Sequence, residues 1–453
     1  MSIGIRILQG MSRFARAFRK EEKGAAAVQF ALMALPLTVT VFGMVDVSKA
    51  SAAKGHLQDA LDAAALAAAR STATTDAEAQ SVGEGVLRVD LAGARATLRS
   101  SSFRIVGSKV VATATATTTP YIAQLWHDGD IEIGASTEVV RASKNIEVAL
   151  ALDVTGSMSG SKIADLKTAA KDLVDIVVQA QQSPYYTRVA LAPYSMGVNV
   201  GGYASTVRGA VTGGTCTSPG CNKYTFTTAS GGTKTNTIST CVSERTGTHA
   251  YTDAAPSTAF VGRNYPNSGN PCVGSTIVPL SSDKAGLKAS IDGYTAAGST
   301  AGHIGLAWAW YLVSPNWGYL WPNETSRPAA YGADDLLKVV VLMTDGEFNT
   351  TYCKGVISRD STSGSGSSSD KINCNASNGD AFAQAEALCD AMKAQGVVVY
   401  TVGFALSGNA NAEAIMEECA TSAEHVYLPD SGSELKVAFK EIAQDINALR
   451  LSK

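Results

Sequence analysis

The sequence is short of charge and of histidine. Only 17% of its 453 residues are Asp, Glu, Lys or Arg, against the roughly 25% usual in soluble domains, and the formal net charge is −3. No basic stripe follows the first stretch of the chain, so the electrostatic footprint of a nucleic-acid binder is missing and nucleic acid is excluded as a partner. The five histidines are scattered, none beside a Ser or Cys nucleophile, which leaves nothing pointing to a hydrolytic triad. No cysteine occurs before Cys216, and the eight in the chain show no zinc spacing. Their even number suits a disulfide framework in an oxidising compartment instead. Self-similarity at a solenoid period is also lacking, which excludes a repeat array. At this length two or three compact units are expected.

What the sequence does have begins with one uncharged run, Gly24 to Val45. Its 22 residues, at about 1.5 Å rise each, span the roughly 30 Å hydrocarbon layer, so 24–45 is expected to cross a bilayer as a helix. Arg6, Arg13, Arg16, Arg19, Lys20 and Lys23 precede it, against Glu21 and Glu22. The positive-inside rule then places 1–23 in the cytoplasm and the chain beyond Asp46 outside. The competing reading is a signal peptide cut near Ala50-Ser51-Ala52, but the apolar run is far longer than the about 7 to 15 residues such peptides use. A retained anchor is expected.

Residues 46–70 are rich in Ala and Leu, and Leu57, Leu61, Ala64 and Ala68 stand at helical spacing, which predicts that the membrane helix continues outward. From about 86 to 142 apolar and polar residues alternate, as in Val110 to Thr119 and Ile131 to Ala142, which predicts strands. Residues 46–142 are therefore expected to form a small α+β membrane-proximal unit. From Asn145 onward, short apolar runs (Ile146 to Leu152, Val189 to Pro193, Leu337 to Met343, Val397 to Val402) suit strands buried on both faces. Ile163, Leu166, Ala170, Leu173 and Val177 form one helical face between them. Leu435, Phe439, Ile442, Ile446 and Leu449 form another, entered through a Ser431-x-x-Glu434 capping box. This alternation predicts an α/β domain over 143–453 on a doubly wound, mostly parallel sheet.

Two insertions rich in Gly, Ser, Thr and Asn, at about 201–279 and 350–378, are expected as surface excursions. Cys389 and Cys419 flank one strand and are expected to pair, as are Cys353 and Cys374 across the second insertion. Cys216, Cys221, Cys241 and Cys272 are left to pair among themselves.

Three loop positions carry oxygen ligands. Asp153, Thr155 and Ser157 leave the end of the first strand in a tight turn; Gly298-Ser299-Thr300, with Gly305, stands before a helix; and Asp345 follows the strongest strand in Thr344-Asp345-Gly346. Strand tips of an open α/β sheet are where ligands bind, so the three positions can converge on one cation. A small hard cation such as Mg²⁺ takes six oxygens and keeps its waters. Hydroxyl ligands leave most of its charge unneutralised, which favours a carboxylate from a protein partner as the sixth ligand. The plainer reading, that Asp153 and Asp345 cap a helix or turn, accounts for one such position but not for three in order.

The series Asp153-x-Thr155-x-Ser157, then Thr300, then Asp345 resembles the metal-ion-dependent adhesion site of von Willebrand factor A domains. The resemblance implies that Thr155, Ser157 and Thr300 ligate Mg²⁺ or Mn²⁺ through their hydroxyls, while Asp153 and Asp345 hold coordinated water. Thr155 stands where that family usually has Ser and keeps the hydroxyl. A second resemblance covers Arg16 to Pro36, which is similar to the start of TadE- and TadG-type proteins of the tight-adherence (Flp) pilus assembly system. TadG-like proteins commonly append a von Willebrand A region.

Together these imply a non-enzymatic adhesion or pilus-assembly protein of a bacterial inner membrane, its bulk periplasmic or extracellular, with pilus or secretion components as partners. In the family a Glu follows the Gly by five residues; here Gln29 follows Gly24, which removes a charge from the bilayer and favours a static anchor over pilin-like processing. Pro36 is tolerated as a kink within the span. Two alternatives stand beside this reading: an envelope scaffold without metal binding, and a serine acyl-enzyme using Ser159 and Lys162, for which no downstream Lys-Thr-Gly strand is found.

Overall fold

The computed structural model describes residues 22–451 apart from 72, 74, 93–95, 108, 121–128, 141–143, 184, 209–221, 334 and 362–365. Residues 1–21 of the expected cytoplasmic segment, and Cys216 and Cys221, lie outside the described residues. The chain divides into two compact units, 1–141 and 142–453.

The first unit is built on one 49-residue helix, α1 (Glu22–Arg70), which runs through the apolar segment without a break. Phe30, Leu32, Met33 and Leu37 are exposed, whereas Leu57, Leu61, Ala64 and Ala68 are fully buried. The helix is thus apolar all round where it has no partner, and apolar on one face where it has one. Helix α2 (Asp76–Leu91) starts in a complete capping box between Thr75 and Glu78. Strands β1 (Thr97–Val106), β2 (Lys109–Thr118) and β3 (Ile131–Val140) form an antiparallel sheet with β2 in the middle. Val110, Ala112, Ala114 and Ala116 alternate inward along β2 and share a core with Leu57, Leu61, Leu87 and Phe103.

Two expectations change here. Residues 86–91 are the end of α2 rather than the start of the strands, and β1 is a further strand. Gly83 and Gly85 weaken the helical pattern of α2 on propensity alone. Gly83 has a packing reason, because a Cβ there would lie 2.5 Å from the Phe103 ring, so glycine lets β1 approach.

The second unit carries a nine-stranded sheet. Its strands are β4 (Asn145–Asp153), β5 (Thr187–Tyr194), β6 (Val198–Asn199), β7 (Cys241–Ser243), β8 (Gly262–Arg263), β9 (Val278–Ser281), β10 (Leu336–Thr344), β11 (Val398–Gly403) and β12 (Val426–Tyr427). The order is β8-β7-β6-β5-β4-β10-β11-β12, with β9 beside β5. Strands β5, β4, β10, β11 and β12 pair in parallel, and β6 to β9 join antiparallel.

Alternate residues of β4 face opposite ways, and both sets are buried. Val148, Leu150 and Leu152 meet Leu166 and Leu173 of α3 (Ser161–Val177) and Phe439 and Ile442 of α8 (Gly432–Leu451). Leu287 and Ile291 of α4 (Lys284–Asp292) belong to the same cluster. Ala149 and Ala151 face the other cluster, with Trp308 of α5 (Gly302–Val313), Leu388 of α6 (Ala381–Ala394) and Met416 of α7 (Ala410–Cys419). Helices therefore cover both faces, which is why the strands read as near-continuous apolar runs.

Helix α8 starts after Ser431 as expected, and the Glu434 amide donates to Ser431 Oγ at 3.3 Å, but the Glu434 carboxylate takes the amide of Asp430, at 2.8 Å, instead of that of Ser431. Cys389 pairs with Cys419, Cys353 with Cys374, and Cys241 with Cys272. Both insertions are more than surface excursions: the first supplies β7 and β8, with Val242, Val261 and Ile277 in the core, and the second sends Tyr352 and Ile357 into the same core. Gly305 lies within α5, not ahead of it, and a Cβ there would meet the Tyr194 ring at 2.2 Å.

Candidate metal centre

Strands β4 and β10 are neighbours in parallel, so their C-terminal ends lie side by side and deliver Asp153 and Asp345 to the same rim. The backbone of the turn after β4 is tied to the loop before α5: the Gly156 amide donates to Gly298 O at 2.9 Å and the Ala297 amide to Val154 O at 2.9 Å. Gly298 sits at φ +82°, in the left-handed region that favours glycine, and carries this crossing. The three loops picked out from the sequence thus meet.

Asp153 is fully buried. Its Oδ1 accepts from the Thr155 amide at 2.9 Å and its Oδ2 from Thr344 Oγ1 at 2.8 Å. Tyr194 approaches the same carboxylate at 3.4 Å but makes its shorter hydrogen bond, 2.8 Å, to Met343 O. Burial, and after it the neighbouring Asp345 carboxylate, pushes the Asp153 carboxyl up to about 6 against hydrogen bonds that pull the other way. Burial also holds the Tyr194 hydroxyl well above its usual range.

A second chain of contacts runs through Asp345. Thr155 Oγ1 and Ser157 Oγ are 2.9 Å apart, Ser157 Oγ donates to Asp345 Oδ1 at 2.6 Å, and Lys162 Nζ donates to Asp345 Oδ2 at 2.7 Å. Thr300 is buried in the third loop, where its amide donates to Asn349 Oδ1 and its carbonyl accepts from the Asn349 amide. Its hydroxyl makes no hydrogen bond to the other four side chains among the described residues. Four of the five expected residues are therefore joined in two hydrogen-bonded strings, and Thr300 is tied to the same loops by its backbone.

Among the described residues no three of His, Cys, Asp and Glu gather as a metal-holding group. What is present is a hydroxyl-based set with two carboxylates, one of them buried without a cation beside it. That donor set fits a hard divalent ion, which prefers oxygen and would relieve the repulsion felt at Asp153.

Reading along the chain missed Thr344, although its signal was there in Thr344-Asp345-Gly346, and missed Tyr194 and Asn349, for which no local pattern exists. Lys162 had been noticed for another reason. Its ammonium is committed to Asp345, while Ser159 Oγ donates to Gly156 O at 2.7 Å, so the two residues of the acyl-enzyme alternative turn to different partners.

Residues 24–71 match the family model of Flp pilus-assembly TadE/G-like proteins. Over that stretch the chain is similar to TadE/G-like proteins. With the apolar helix, the match supports a single-pass membrane anchor and a role in pilus assembly or adhesion. No curated protein matches the chain.

Among solved structures, the pilus adhesin SpaC from Lactobacillus rhamnosus GG aligns with a TM-score of 0.37 and 13% identity, over 78% of this chain and 35% of that one. This chain thus spans about a third of SpaC's length. The vWF domain of the type V pili tip protein Mfa5 from Porphyromonas gingivalis aligns with a TM-score of 0.38 and 14% identity, over 68% of this chain and 97% of that one. The pilus adhesin RrgA from Streptococcus pneumoniae aligns with a TM-score of 0.35 and 11% identity, over 77% and 48% of the two chains.

Proposed function

We propose that this TadE/G-like chain is a membrane-anchored, non-enzymatic protein that holds a protein partner through Mg²⁺ or Mn²⁺. Thr155, Ser157 and Thr300 would hold the ion through their hydroxyls, with Asp153 and Asp345 in support. The ion would supply a concentrated positive charge able to take a partner's carboxylate. Helices on both faces of the sheet, and a site at the C-terminal strand ends, support reading the second unit as a doubly wound, von Willebrand A-like domain. The basic residues before α1 support an inner-membrane orientation with 1–23 inside and the bulk periplasmic or extracellular. Pilus or secretion components are the partners that fit the family match.

One observation carries the metal reading: two carboxylates at the ends of adjacent parallel strands, linked to a Thr and a Ser hydroxyl of one turn. Calorimetry of the full chain in detergent is the test. One Mg²⁺ or Mn²⁺ per chain is expected, and no binding heat or fluorescence change with either ion would overturn the reading.

A further inference from the structure

The hydrogen bonds around Asp345 do more than assemble the rim. Both of its carboxylate oxygens are occupied, one by Ser157 and the other by Lys162. The Asp345 side chain is fully buried, whereas 32% of the Lys162 side chain is exposed. One partner of this ion pair is fixed in place by the strand end. The other stands in the first turn of α3 on a flexible four-carbon stem with a way out to water.

The remaining lysines of α3 do not share this position, since Lys167 and Lys171 both donate to Asp292, through its carbonyl and its carboxylate respectively. Beyond Asp345, Lys162 has a cation–π contact with Phe404 at 5.8 Å. Its positive charge therefore stands on one oxygen of the carboxylate whose other oxygen takes the Ser157 hydroxyl, beside the proposed ion site.

We propose that Lys162 is a tethered cation that pairs with Asp345 in the metal-free protein and competes with the divalent ion for that carboxylate's charge, so that it sets the metal affinity of the site. This rests on the metal reading above. Two carboxylates and one ammonium leave the metal-free rim with one net negative charge. Without the ammonium it has two. An arriving divalent ion competes with the ammonium for the charge of Asp345 and bears its repulsion at short range. The lysine thereby weakens binding while keeping Asp345 paired in the absence of metal, since removal of one partner from such a pair leaves an uncompensated buried charge. A site of this kind releases its ion readily and makes partner capture responsive to free divalent concentration.

The experiment compares full-length wild type, Lys162→Gln and Lys162→Arg in detergent, by Mn²⁺ calorimetry and by thermal melting with and without Mn²⁺. Lys162→Gln is expected to bind Mn²⁺ about 10-fold tighter than wild type, equivalent to about 1.4 kcal/mol, with Lys162→Arg close to wild type. Metal-free Lys162→Gln is expected to melt below wild type and to recover on adding Mn²⁺, which also reports that the variant folds. Wild type binding Mn²⁺ with Lys162→Gln no tighter would overturn the role of Lys162 and leave the metal site standing. Failure of both proteins to bind would remove the metal reading and the lysine's role with it. Binding by Lys162→Gln alone would support the proposal in its strongest form.

Discussion

The ends of β4 and β10 each present one aspartate, and the two are treated in opposite ways. Asp345 is paired with an ammonium and accepts a serine hydroxyl. Asp153, one strand over, has only neutral donors, the Thr155 amide and the Thr344 hydroxyl, and lies fully buried beside a like charge. Dipoles alone compensate a buried carboxylate less fully than a cation does. Both are aspartates at neighbouring strand ends, Asp153 closing β4 and Asp345 following β10; what differs is the neutralising charge. Asp345 carries its own counter-ion, and Asp153 has none among the described residues.

The largest expected effect tests whether both carboxylates serve one ion. Asp153→Asn and Asp345→Asn in the full chain should each weaken Mg²⁺ binding by roughly 100-fold, the upper range for residues that support a metal through its outer shell. Calorimetry checks this. A loss at one position only would break the pairing of the two ends.

Metal-free stability should then separate them by pH. The Asp153 carboxyl is pushed from 3.8 to about 6 on folding, so the folded chain binds more protons than the unfolded one between those values. Stability is therefore full below about pH 4 and falls as pH rises through 6, by up to roughly 3 kcal/mol at neutral pH. Asp153→Asn should remove that fall and raise the neutral-pH melting temperature, because Thr344 Oγ1 can turn its proton to Gly346 O and accept from the new amide. Asp345→Asn should instead lower stability at neutral pH, by about 1 kcal/mol, the ammonium being partly solvated. Melting curves at pH 4 and pH 7 in chelator decide both signs.

Thr344→Val keeps the shape of β10 and removes one of the two donors to Asp153. A loss of about 1 to 2 kcal/mol is expected at pH 7 and a smaller one at pH 4, where the carboxyl is protonated; equal losses would mean that the hydroxyl serves the strand and not the charge.

The smallest effect is a control. Lys109 and Glu138 pair at 2.9 Å, close to the Lys162–Asp345 distance, but both are exposed, so Lys109→Ala should change stability by less than about 0.5 kcal/mol.

Much of this was readable from the chain. The apolar runs that predicted β4, β5, β10 and β11 are buried on both faces, and burial on both faces is the physical origin of such runs. Asp153, Thr155, Ser157 and Asp345 were found because each follows a strand closely, and strand ends are set by local pattern. The Lys162–Asp345 contact joins residues 183 apart, and no local spacing encodes it; within its own neighbourhood Lys162 suggests Ser159 as partner instead. Helix α2 was obscured by two glycines, one of which is required by the Phe103 ring. Strands β7 and β8 were obscured because very short strands between loops have too few residues to show a period.

Helix α1 has a mechanical consequence. At about 1.5 Å per residue its 49 residues reach roughly 74 Å, so the bilayer segment and the rod that carries the first unit's sheet are one stiff body with no linker between them. The tilt of that rod in the bilayer sets the lean of the first unit, and a rotation about the rod's axis turns the sheet by the same angle. Torque and sideways drag on the first unit are therefore delivered to the lipid without being absorbed by a flexible joint, and the softest point along the path is Pro36, inside the bilayer segment itself.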